Sequence, residues 1–458
     1  MIFEKMSLMK VVAAVAAAIA AILTSRHLLR LLAVGAAYKA KVLCSAVFVS
    51  GRELDAQGAP ELSAEAYRTL RLFRARIDRE RGTVTVSLLG LSARTAVFRP
   101  GYGATLALGG RIKPLPELGT MASDLLLPWP EGEGPAAEPS GSIARVVEDA
   151  FRETDDGKPR RTRAVVVVKD GRILAERYIA GIGPRTALPG WSMAKSVLGA
   201  LVGVAVGEGR LRLDQDRLLP EWSSSADPRS AIRLEDLLRM RSGLQWSEVY
   251  SDFGSDVVRM LFTRPDCAAF AAAKRLRRPP GAAWQYSSGT ANILSGVLRR
   301  ALGEEDYPGF PRRALFEPLG MTTAVLEPDA TGTFVGSSFM LASARDWARF
   351  GLLYLDDGVW RGRRILPEGW VRFSTTPTPQ APDGRFGAHW WLRCPDELGG
   401  ATEAGRRLPA DAFHALGHEG QALTVIPSRR LVVVRLGLSI RIDAWDHAAF
   451  LDALLRVV

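Results

Sequence analysis

The chain has 458 residues, of which 47% are hydrophobic and 24% are charged, and its formal net charge is +11. This composition is typical of a folded protein and excludes a disordered chain, a collagen-like fibre and a coiled coil. Three cysteines are too few for a disulfide scaffold and too far apart for a cysteine zinc site. The basic residues are scattered along the chain, so they do not predict a nucleic-acid surface.

The N-terminus is apolar. Residues 11–23 form an uninterrupted apolar run after Lys5 and Lys10, and as a helix they would span about 20 Å of a hydrocarbon core that is ~30 Å thick. A cleaved signal peptide, an uncleaved anchor and a buried alanine-rich helix are all open interpretations. We interpret residues 1–38 as an anchor or signal segment that associates with a membrane and places the rest of the chain in an extracytoplasmic, periplasmic compartment. We expect residues 1–38 to be dispensable for activity.

Residues 39–135 are predicted to form an N-terminal segment that ends in a linker. Residues 42–50 have the composition of a strand, residues 64–80 that of a basic helix, and residues 83–91 alternate as strands do. Residues 113–139 are rich in Pro and Gly, which is typical of a linker. We place the main domain boundary near residue 135 and assign residues 136–458 to one further domain.

That domain begins and ends with predicted strands. A helix at 142–153 is followed by a hairpin, at 165–168 and 173–179, around the turn KDGR. Near the end of the chain, a second hairpin at 422–426 and 431–438 surrounds PSRR and precedes a final helix. This order predicts an α/β (α+β) fold in which one antiparallel sheet is built from both ends of the domain and is flanked by helices.

A candidate catalytic pair lies in the sequence SMAK, from Ser192 to Lys195. Residues three apart on a helix share a face, and a lysine removed from water can lose its proton near neutral pH and then accept the proton of a serine. A second match runs from Ser7 to Lys10, but only Ser192 precedes a long apolar run, LGALVGVAV, which predicts a buried helix. The alternative is that Ser192 merely caps a helix and Lys195 is exposed.

Two further motifs follow in order: YSS at 286–288, within PGAAWQYSSG, and HEG at 418–420. With SMAK, they resemble the three motifs of the serine β-lactamase and penicillin-binding-protein superfamily, in its esterase, class C and 6-aminohexanoate-dimer hydrolase-like branch. Residues 232–246, 316–321 and 336–358 are similar to segments of that family as well. The resemblance covers about residues 140–458 and implies a β-lactamase-like fold with an all-helical subdomain beside the sheet.

The resemblance also implies a serine hydrolase that forms an acyl-enzyme. Ser192 would be the acylated nucleophile, Lys195 the base, and Tyr286 a proton relay whose pKa is held down by Lys195. The oxyanion hole would consist of the backbone N–H groups of Ser192 and Gln421. Neither a metal nor an organic cofactor is implied.

Three further residues would bind the substrate: His418, Ser288, and Gly420, which lets the strand edge approach the substrate closely. Lactam-binding members usually have KTG where this chain has HEG, and Asn in the YxN form where this chain has Ser288. A histidine is mostly neutral at pH 7, so a fixed cation for a substrate carboxylate is missing. Both departures favour a small-molecule ester or amide as the substrate over a β-lactam.

Two other functions stay open, namely a non-catalytic relative that binds a cell-wall peptide in the same pocket, and a D-alanyl peptidase or transpeptidase. Glu248 and Asp252 are weaker candidates for the rim of the site. We expect Glu419 to be solvated. Trp390 and Trp391 could either line the pocket or pack in the core, and His414 is expected to be a core or surface residue and not a functional one.

Overall fold

The computed structural model describes residue 13 and residues 28–54, 60–136, 138–155 and 157–458. The apolar run at residues 11–23 lies, apart from residue 13, outside the described residues, and its role stays a prediction.

The described residues form short strands and helices in alternation. The strands are β1 Arg74–Asp78, β2 Thr83–Leu88, β3 Leu91–Arg99, β4 Gly103–Leu106, β5 Thr162–Lys169, β6 Arg172–Tyr178, β7 Leu188–Pro189, β8 Val325–Leu326, β9 Met340–Ala342, β10 Val359–Trp360, β11 Arg363–Arg364, β12 Phe413–Gly417, β13 Gln421–Ile426 and β14 Leu431–Gly437. The longer helices are α1 Leu28–Val49, α2 Gly141–Asp149, α3 Ala194–Gly207, α4 Leu234–Leu238, α5 Asp256–Thr263, α6 Cys267–Ala272, α7 Ser288–Asp306, α8 Ala344–Leu355, α9 Trp370–Thr375, α10 Glu403–Arg407 and α11 His447–Leu455. Short 3-10 turns include Glu65–Leu72 and Trp191–Met193.

Helix α1 is 22 residues long with a mean hydropathy of 1.6, so its length and composition would let it cross a membrane. However, 72% of its most apolar window is buried inside the protein. Lys39, on this helix, is buried too, and its Nζ donates to the carbonyls of Leu70 and Phe73 at 3.0 and 2.7 Å. Core helices of soluble proteins meet the same test, so α1 is weak evidence for a membrane anchor.

The strand predicted at residues 42–50 is wrong, because α1 continues to Val49. A helix enclosed by protein is apolar on all faces and lacks the amphipathic period that would reveal it. The packing also argues against the expectation that residues 1–38 are dispensable, because their removal would delete part of the hydrophobic core. Val34, Ala36 and Ala37 are buried in the same hydrophobic cluster as the strands of the central sheet.

Strands β1 to β4 form a separate antiparallel sheet in that order. Strand β2 confirms the strand predicted at 83–91. The helix predicted at 64–80 is instead a 3-10 helix followed by β1. The sequence of β1, RARID, alternates with the period of two that suits a strand paired with β2.

The Pro- and Gly-rich segment predicted as a linker contains neither helix nor strand in its described residues, and it is fixed to the body of the protein. Arg349 Nη2 donates to the carbonyl of Gly132 at 2.7 Å, and Arg345 Nη1 donates to that of Gly134 at 3.1 Å. Both guanidinium groups also pair with Glu133, and all three of these charged side chains are almost fully buried. The segment is therefore a strap across α8.

The central sheet joins both ends of the 136–458 region, as predicted, with antiparallel strands in the order β12-β13-β14-β5-β6. Helices α2 and α11 cover one face, where Ile143 and Leu451 pack with Val167. Helix α8 covers the other face so closely that a Cβ on Gly351 would lie 2.5 Å from Val432 Cγ1. This confirms the predicted fold class of an antiparallel sheet flanked by helices.

Between these strands the chain is mainly helical from α3 to α7. Helix α3 is buried along nearly its whole length, as its apolar run predicts. Strands β7, β8 and β9 form a small sheet in the order β7-β9-β8, and β7 leads directly into the turn that carries Ser192.

The N-terminal elements and the central sheet share one hydrophobic cluster, which extends from Val34 to Leu436. A buried ion pair adds to this packing: Lys41, on α1, pairs with Glu327. Glu327 also accepts hydrogen bonds from Ser45 Oγ at 2.9 Å and from the N–H of Ala104 at 2.7 Å. The division into residues 1–38, 39–135 and 136–458 stays a prediction from the sequence.

Candidate active site

Ser192 lies in the short 3-10 turn Trp191–Met193, immediately before α3. Its side chain is half-buried, whereas both neighbours are buried. Trp191 has a φ of 49°, in the left-handed region that a bulky residue rarely adopts. Such backbone strain is common at functional sites, where the surrounding structure must hold it in place.

Lys195 lies one helical turn further on and points back at Ser192. Its Nζ is 2.9 Å from Ser192 Oγ, 3.1 Å from Ser288 Oγ and 2.9 Å from the carbonyl oxygen of Ser337. The residue is only 2% exposed. Burial lowers the pKa of Lys195 to about 8, and the charge of Glu248 opposes part of that fall. The other Ser-x-x-Lys match, Ser7 to Lys10, lies outside the described residues.

Ser288 lies behind Lys195 at the first residue of α7. Its hydroxyl is within bonding distance of Lys195 and donates to Glu248 Oε1 at 2.5 Å, and its N–H donates to Glu248 Oε2 at 2.9 Å. Ser288 is fully buried. The hydroxyl of Ser288 is therefore engaged with Lys195 and Glu248, and the prediction that Ser288 binds substrate stays a prediction.

Glu248 is the acidic end of a chain of contacts that runs from Ser192 through Lys195 and Ser288. It also accepts a hydrogen bond from Trp246 Nε1. The sequence indicated Glu248 only as a weak candidate for the rim. In the sequence, Glu248 is marked only by its position two residues after the SGLQW segment. That position does not reveal which side chain Glu248 contacts.

Tyr286 lies beside Lys195, whose Nζ is 4.8 Å from the centre of the phenol ring. Burial raises the pKa of Tyr286 well above its usual value, the charge of Glu248 raises it further, and a hydrogen bond with Ser192 opposes both. The expectation that Lys195 holds this pKa down is wrong, because desolvation dominates. The ring packs on Trp391, at 5.5 Å between centroids, and is present as a neutral phenol.

The HEG motif forms the tight turn between β12 and β13. His418 stacks on Tyr250, at 4.9 Å between ring centroids, and meets Trp191 edge-on at 5.5 Å. His418 therefore contacts the turn that carries Ser192, through the ring of Trp191. Its Nε2 is 3.5 Å from the hydroxyl of Tyr67.

Glu419, expected to be solvated, is buried instead. It accepts hydrogen bonds from Tyr67 Oη at 3.0 Å and from Trp191 Nε1 at 3.2 Å. Its φ of 63° is left-handed, so the turn presents this carboxylate inward against the residue that precedes Ser192. The expectation failed because a single Glu in a turn has no local pattern that predicts burial.

Gly420 has a φ of 79°, and a Cβ there would lie 2.4 Å from Arg435 Nη1. Arg435 Nη1 donates to the carbonyl of Gly420 at 2.8 Å. The turn and Arg435 thus require glycine at this position, and the prediction that Gly420 also lets a substrate approach the strand edge stays a prediction.

Gln421 begins β13, where its side chain holds the turn together. Its amide donates to the carbonyls of His418 and Gly437 at 3.1 and 2.9 Å and accepts the N–H of Gly437 at 2.9 Å. Its strand partner Gly417 touches the segment before Ser192, because a Cβ on Gly417 would lie 2.2 Å from the carbonyl of Gly190. The two backbone N–H groups predicted for the oxyanion hole thus belong to adjoining elements.

Tyr250 was not identified from the sequence. Its ring is held against His418, and its hydroxyl is near the hydroxyls of Ser192, Ser288 and Ser338. Burial raises the pKa of Tyr250, and among the described residues its hydroxyl has no hydrogen-bond partner of good geometry. A buried hydroxyl without a partner beside a nucleophile is available to bond a substrate atom.

Two of the remaining candidates are core residues, whereas Trp391 is partly buried and Asp252 is exposed. Trp390 and His414 are both buried, and His414 Nδ1 is 2.8 Å from Thr424 Oγ1. Burial lowers the pKa of His414 to about 4. Within the described ranges, there is no cluster of three or more His, Cys, Asp and Glu side chains that could hold a metal ion.

Comparison with known proteins identifies the family of this chain. The β-lactamase family model matches residues 147–437. A 6-aminohexanoate-dimer hydrolase from Paenarthrobacter ureafaciens is 27% identical over 298 residues, which cover 60% of this chain and 72% of that protein.

Two solved structures have the same fold. One is a protein from Bacillus anthracis that is provisionally identified as a 6-aminohexanoate-dimer hydrolase. It has 18% identity and a TM-score of 0.55, and the match covers 88% of this chain and 95% of that one. The other is a family VIII carboxylesterase, with 17% identity and a TM-score of 0.53, covering 70% of this chain and 99% of that one. The family model matches more than half of the residues of this chain, so the chain belongs to the β-lactamase family. The similar proteins described above are hydrolases.

Proposed function

We propose that this member of the β-lactamase family is a serine hydrolase that cleaves esters or small amides through an acyl-enzyme on Ser192. The observation that carries the proposal is the buried Lys195 amine, 2.9 Å from Ser192 Oγ, whose pKa is lowered to about 8. At that pKa a useful fraction of the amine is neutral near pH 7, so its lone pair can take the serine proton.

Acylation begins when Ser192 Oγ attacks the carbonyl carbon and its proton moves to Lys195 Nζ. The backbone N–H groups of Ser192 and Gln421 bind the oxyanion. When the intermediate collapses, the bond from the carbonyl carbon to the leaving group breaks, and Tyr286 gives its phenolic proton to the leaving oxygen or nitrogen. Lys195 returns a proton to Tyr286, so both side chains end neutral.

Deacylation follows the same route with water in place of the leaving group. Water attacks the acyl carbon, its proton passes through Tyr286 to Lys195, and Ser192 Oγ leaves with a proton from Lys195. Since burial keeps Tyr286 protonated, it acts as a donor that is refilled within each step. His418 at the rim is the residue we assign to hydrogen bonding with the bound substrate.

The proposal is tested by labelling with a fluorophosphonate probe and by hydrolysis of p-nitrophenyl acetate. Ser192→Ala should abolish labelling and lower turnover by on the order of 10³-fold or more, without a loss of thermal stability. Ser7→Ala, in the other Ser-x-x-Lys match, is the control and should leave both unchanged. A wild type that folds but neither labels nor turns over would favour the non-catalytic binder, and saturating labelling by fluorescent penicillin would favour the D-alanyl peptidase.

We further propose that the N-terminal apolar region associates with a membrane and that the catalytic region is extracytoplasmic. The support is the apolar run at residues 11–23, which precedes α1. Fractionation of cells that express the full chain tests the proposal, and an uncleaved protein found wholly in the soluble fraction would contradict it.

A further inference from the structure

A large apolar cavity adjoins the candidate active site. Its volume is about 560 Å³, and it lies between α1, the 3-10 helix Glu65–Leu72 and the turn that carries Ser192. Leu31 and Leu32 of α1 line one wall, and Leu70 and Leu72 line another. The volume is within the range of roughly 300–1,000 Å³ that is usual for small-molecule sites, and such sites are mostly apolar.

The cavity is also lined by Trp191, Tyr250 and His418, which contact one another beside the turn that carries Ser192. Trp191 directly precedes Ser192, and the hydroxyl of Tyr250 is near that of Ser192. A molecule in the cavity would therefore lie beside the bond that Ser192 attacks.

Among the polar side chains that line the cavity, Tyr67 already has a partner within the protein, because its Oη donates to Glu419 Oε1 at 3.0 Å. The hydroxyl of Tyr250, which lacks such a partner among the described residues, is at the Ser192 end. This arrangement suits an occupant that is polar at the active site and apolar along its length.

The apolar surface continues outward from the cavity. Leu72 is 62% exposed and Phe253 is 52% exposed, and both line the cavity. Leu28 and Leu29, which precede the lining residues on α1, are about half exposed. Exposed apolar patches mark contacts with proteins, membranes or ligands, and the adjoining cavity favours an apolar ligand here.

We propose that this cavity holds the hydrocarbon chain of the substrate and that the enzyme acts on esters with a medium or long alkyl chain. The inference rests on the proposed function and narrows its substrate class. The reaction is the same: the bond between the acyl carbon and the ester oxygen breaks, water supplies the new oxygen and protons, and a carboxylic acid and an alcohol are released. The chain contributes binding without taking part in the chemistry.

The first test is a chain-length series with wild-type enzyme, using p-nitrophenyl acetate, butyrate and octanoate below their aggregation limits. Complete burial of one methylene group would raise kcat/KM by roughly fourfold. We expect at least a tenfold higher kcat/KM for octanoate than for butyrate. Octyl acetate, compared with ethyl acetate, tests whether the alcohol side supplies the chain instead. A kcat/KM that falls with length in both series would overturn the proposal while leaving the serine hydrolase intact.

The second test places a charge in the cavity wall. Leu72→Asp should lower the ratio of kcat/KM for octanoate to that for acetate at least tenfold, because the hydrocarbon would then face a carboxylate. The matched control is Leu126→Asp, at a leucine that is 90% exposed and does not line this cavity, and it should leave the ratio unchanged. Thr69→Trp, a second exposed lining residue, should shift the preference to shorter chains. An unchanged ratio in both lining variants would overturn the assignment.

The third test separates the cavity from the chemistry. Ser192→Ala cannot form the acyl-enzyme but keeps the cavity, so it should bind dansyl-undecanoate, and Leu72→Asp in that background should weaken binding at least tenfold. If wild-type enzyme hydrolyses no ester but the Ser192→Ala variant binds this probe, the hydrolase proposal fails and the chain site stands. Absence of binding by Ser192→Ala, with acetate hydrolysis by wild type, would overturn the chain site alone.

Discussion

Lys195 donates to three uncharged oxygens, those of Ser192, Ser288 and Ser337. An ammonium in that position has no directly bonded carboxylate to offset the free energy of desolvation. Burial therefore lowers the pKa of Lys195. Once neutral, the amine has one lone pair and two N–H bonds. The lone pair then faces the proton of Ser192, and the remaining oxygens accept the two N–H groups.

Substitution of Lys195 distinguishes a base from a fixed cation. Lys195→Arg should lower kcat/KM by about 10²–10⁴-fold, as Lys195→Ala does, because a guanidinium keeps its charge but does not deprotonate in proteins. Under the proposed mechanism the neutral amine is the active form, so wild-type kcat/KM should rise with pH and level off above a midpoint near 8. A pH series from 6 to 10 with p-nitrophenyl acetate measures the loss of kcat/KM in the variants and the midpoint of the wild type. Substantial activity in Lys195→Arg would contradict the role of Lys195 as the base.

Glu248 reaches Lys195 through one hydroxyl, so it acts as a positioning residue. Glu248→Gln removes the charge that holds the pKa of Lys195 up, and the midpoint of the pH profile should therefore move to lower pH, together with a lower plateau. Glu221→Gln, at an exposed glutamate, should leave the profile unchanged. A lower plateau at an unchanged midpoint would show that Glu248 only supports the local structure.

Ser192, Lys195 and Tyr286 could be predicted because their motifs are local in sequence. Glu248 and Tyr250 could not, since their importance comes from contacts with α3 and α7 that no local pattern encodes. The environment of Tyr286 was also beyond the sequence, because the balance between desolvation and a nearby amine depends on burial in the folded state.

Among the elements, the two hairpins of the central sheet were predictable, since β-branched runs flank short polar turns in both. The N-terminal region was not. Residues 42–50 have strand composition but continue a buried helix, and residues 64–80 have helical composition but divide between a 3-10 helix and β1. In both places tertiary packing overrides local propensity.

The attachment of α1 can be tested at its buried ion pair. Lys41→Met should lower the free energy of unfolding by about 3–5 kcal/mol, because Glu327 is left as a charge in the interior. The bonds from Ser45 and Ala104 to Glu327 favour the lower end of that range. Lys113→Met is the matched control. It breaks a Lys–Glu pair with Glu304 whose side chains are 38% and 61% exposed, so it should cost about 0–1 kcal/mol.

Urea denaturation monitored by tryptophan fluorescence compares the two variants. Equal losses in Lys41→Met and Lys113→Met would show that α1 is not held to the protein by its pair with Glu327.

At the scale of the whole molecule, segments that are distant in sequence meet because the two ends of the domain pair within one sheet. Strand β14 pairs with β5, which brings the turn between β12 and β13 against the segment that precedes Ser192. The two hairpins predicted a sheet built from both ends of the domain, and the family resemblance implied that the three motifs share one site. The contribution of α1 and the 3-10 helix to the wall beside the site was not predictable, because those segments have no counterpart in the motifs.

The charges around the site bear on which substrates it accepts. Glu248 accepts a hydrogen bond from Ser288, which contacts Lys195. Glu419 is buried beside Trp191 and His418. A substrate that carries a carboxylate must lose its water among these acidic groups, and the residue in place of a fixed cation is His418. A neutral ester does not meet that cost, so the arrangement favours esters over penicillins and cephalosporins.

We therefore expect kcat/KM for p-nitrophenyl butyrate to exceed that for nitrocefin at least tenfold. A charge-assisted hydrogen bond is worth roughly 1.5–3 kcal/mol against about 1 kcal/mol for a neutral one, and each 1.36 kcal/mol is tenfold in rate. His418→Lys should narrow the gap by improving reaction with nitrocefin, but only in part, because Glu419 Oε1 is 3.9 Å from His418 Nε2 and would pair with the new ammonium. Leu126→Lys adds the same charge at an exposed position and should leave the ratio unchanged. Wild-type hydrolysis of nitrocefin at or above the ester rate would contradict both the selectivity and the place given to His418.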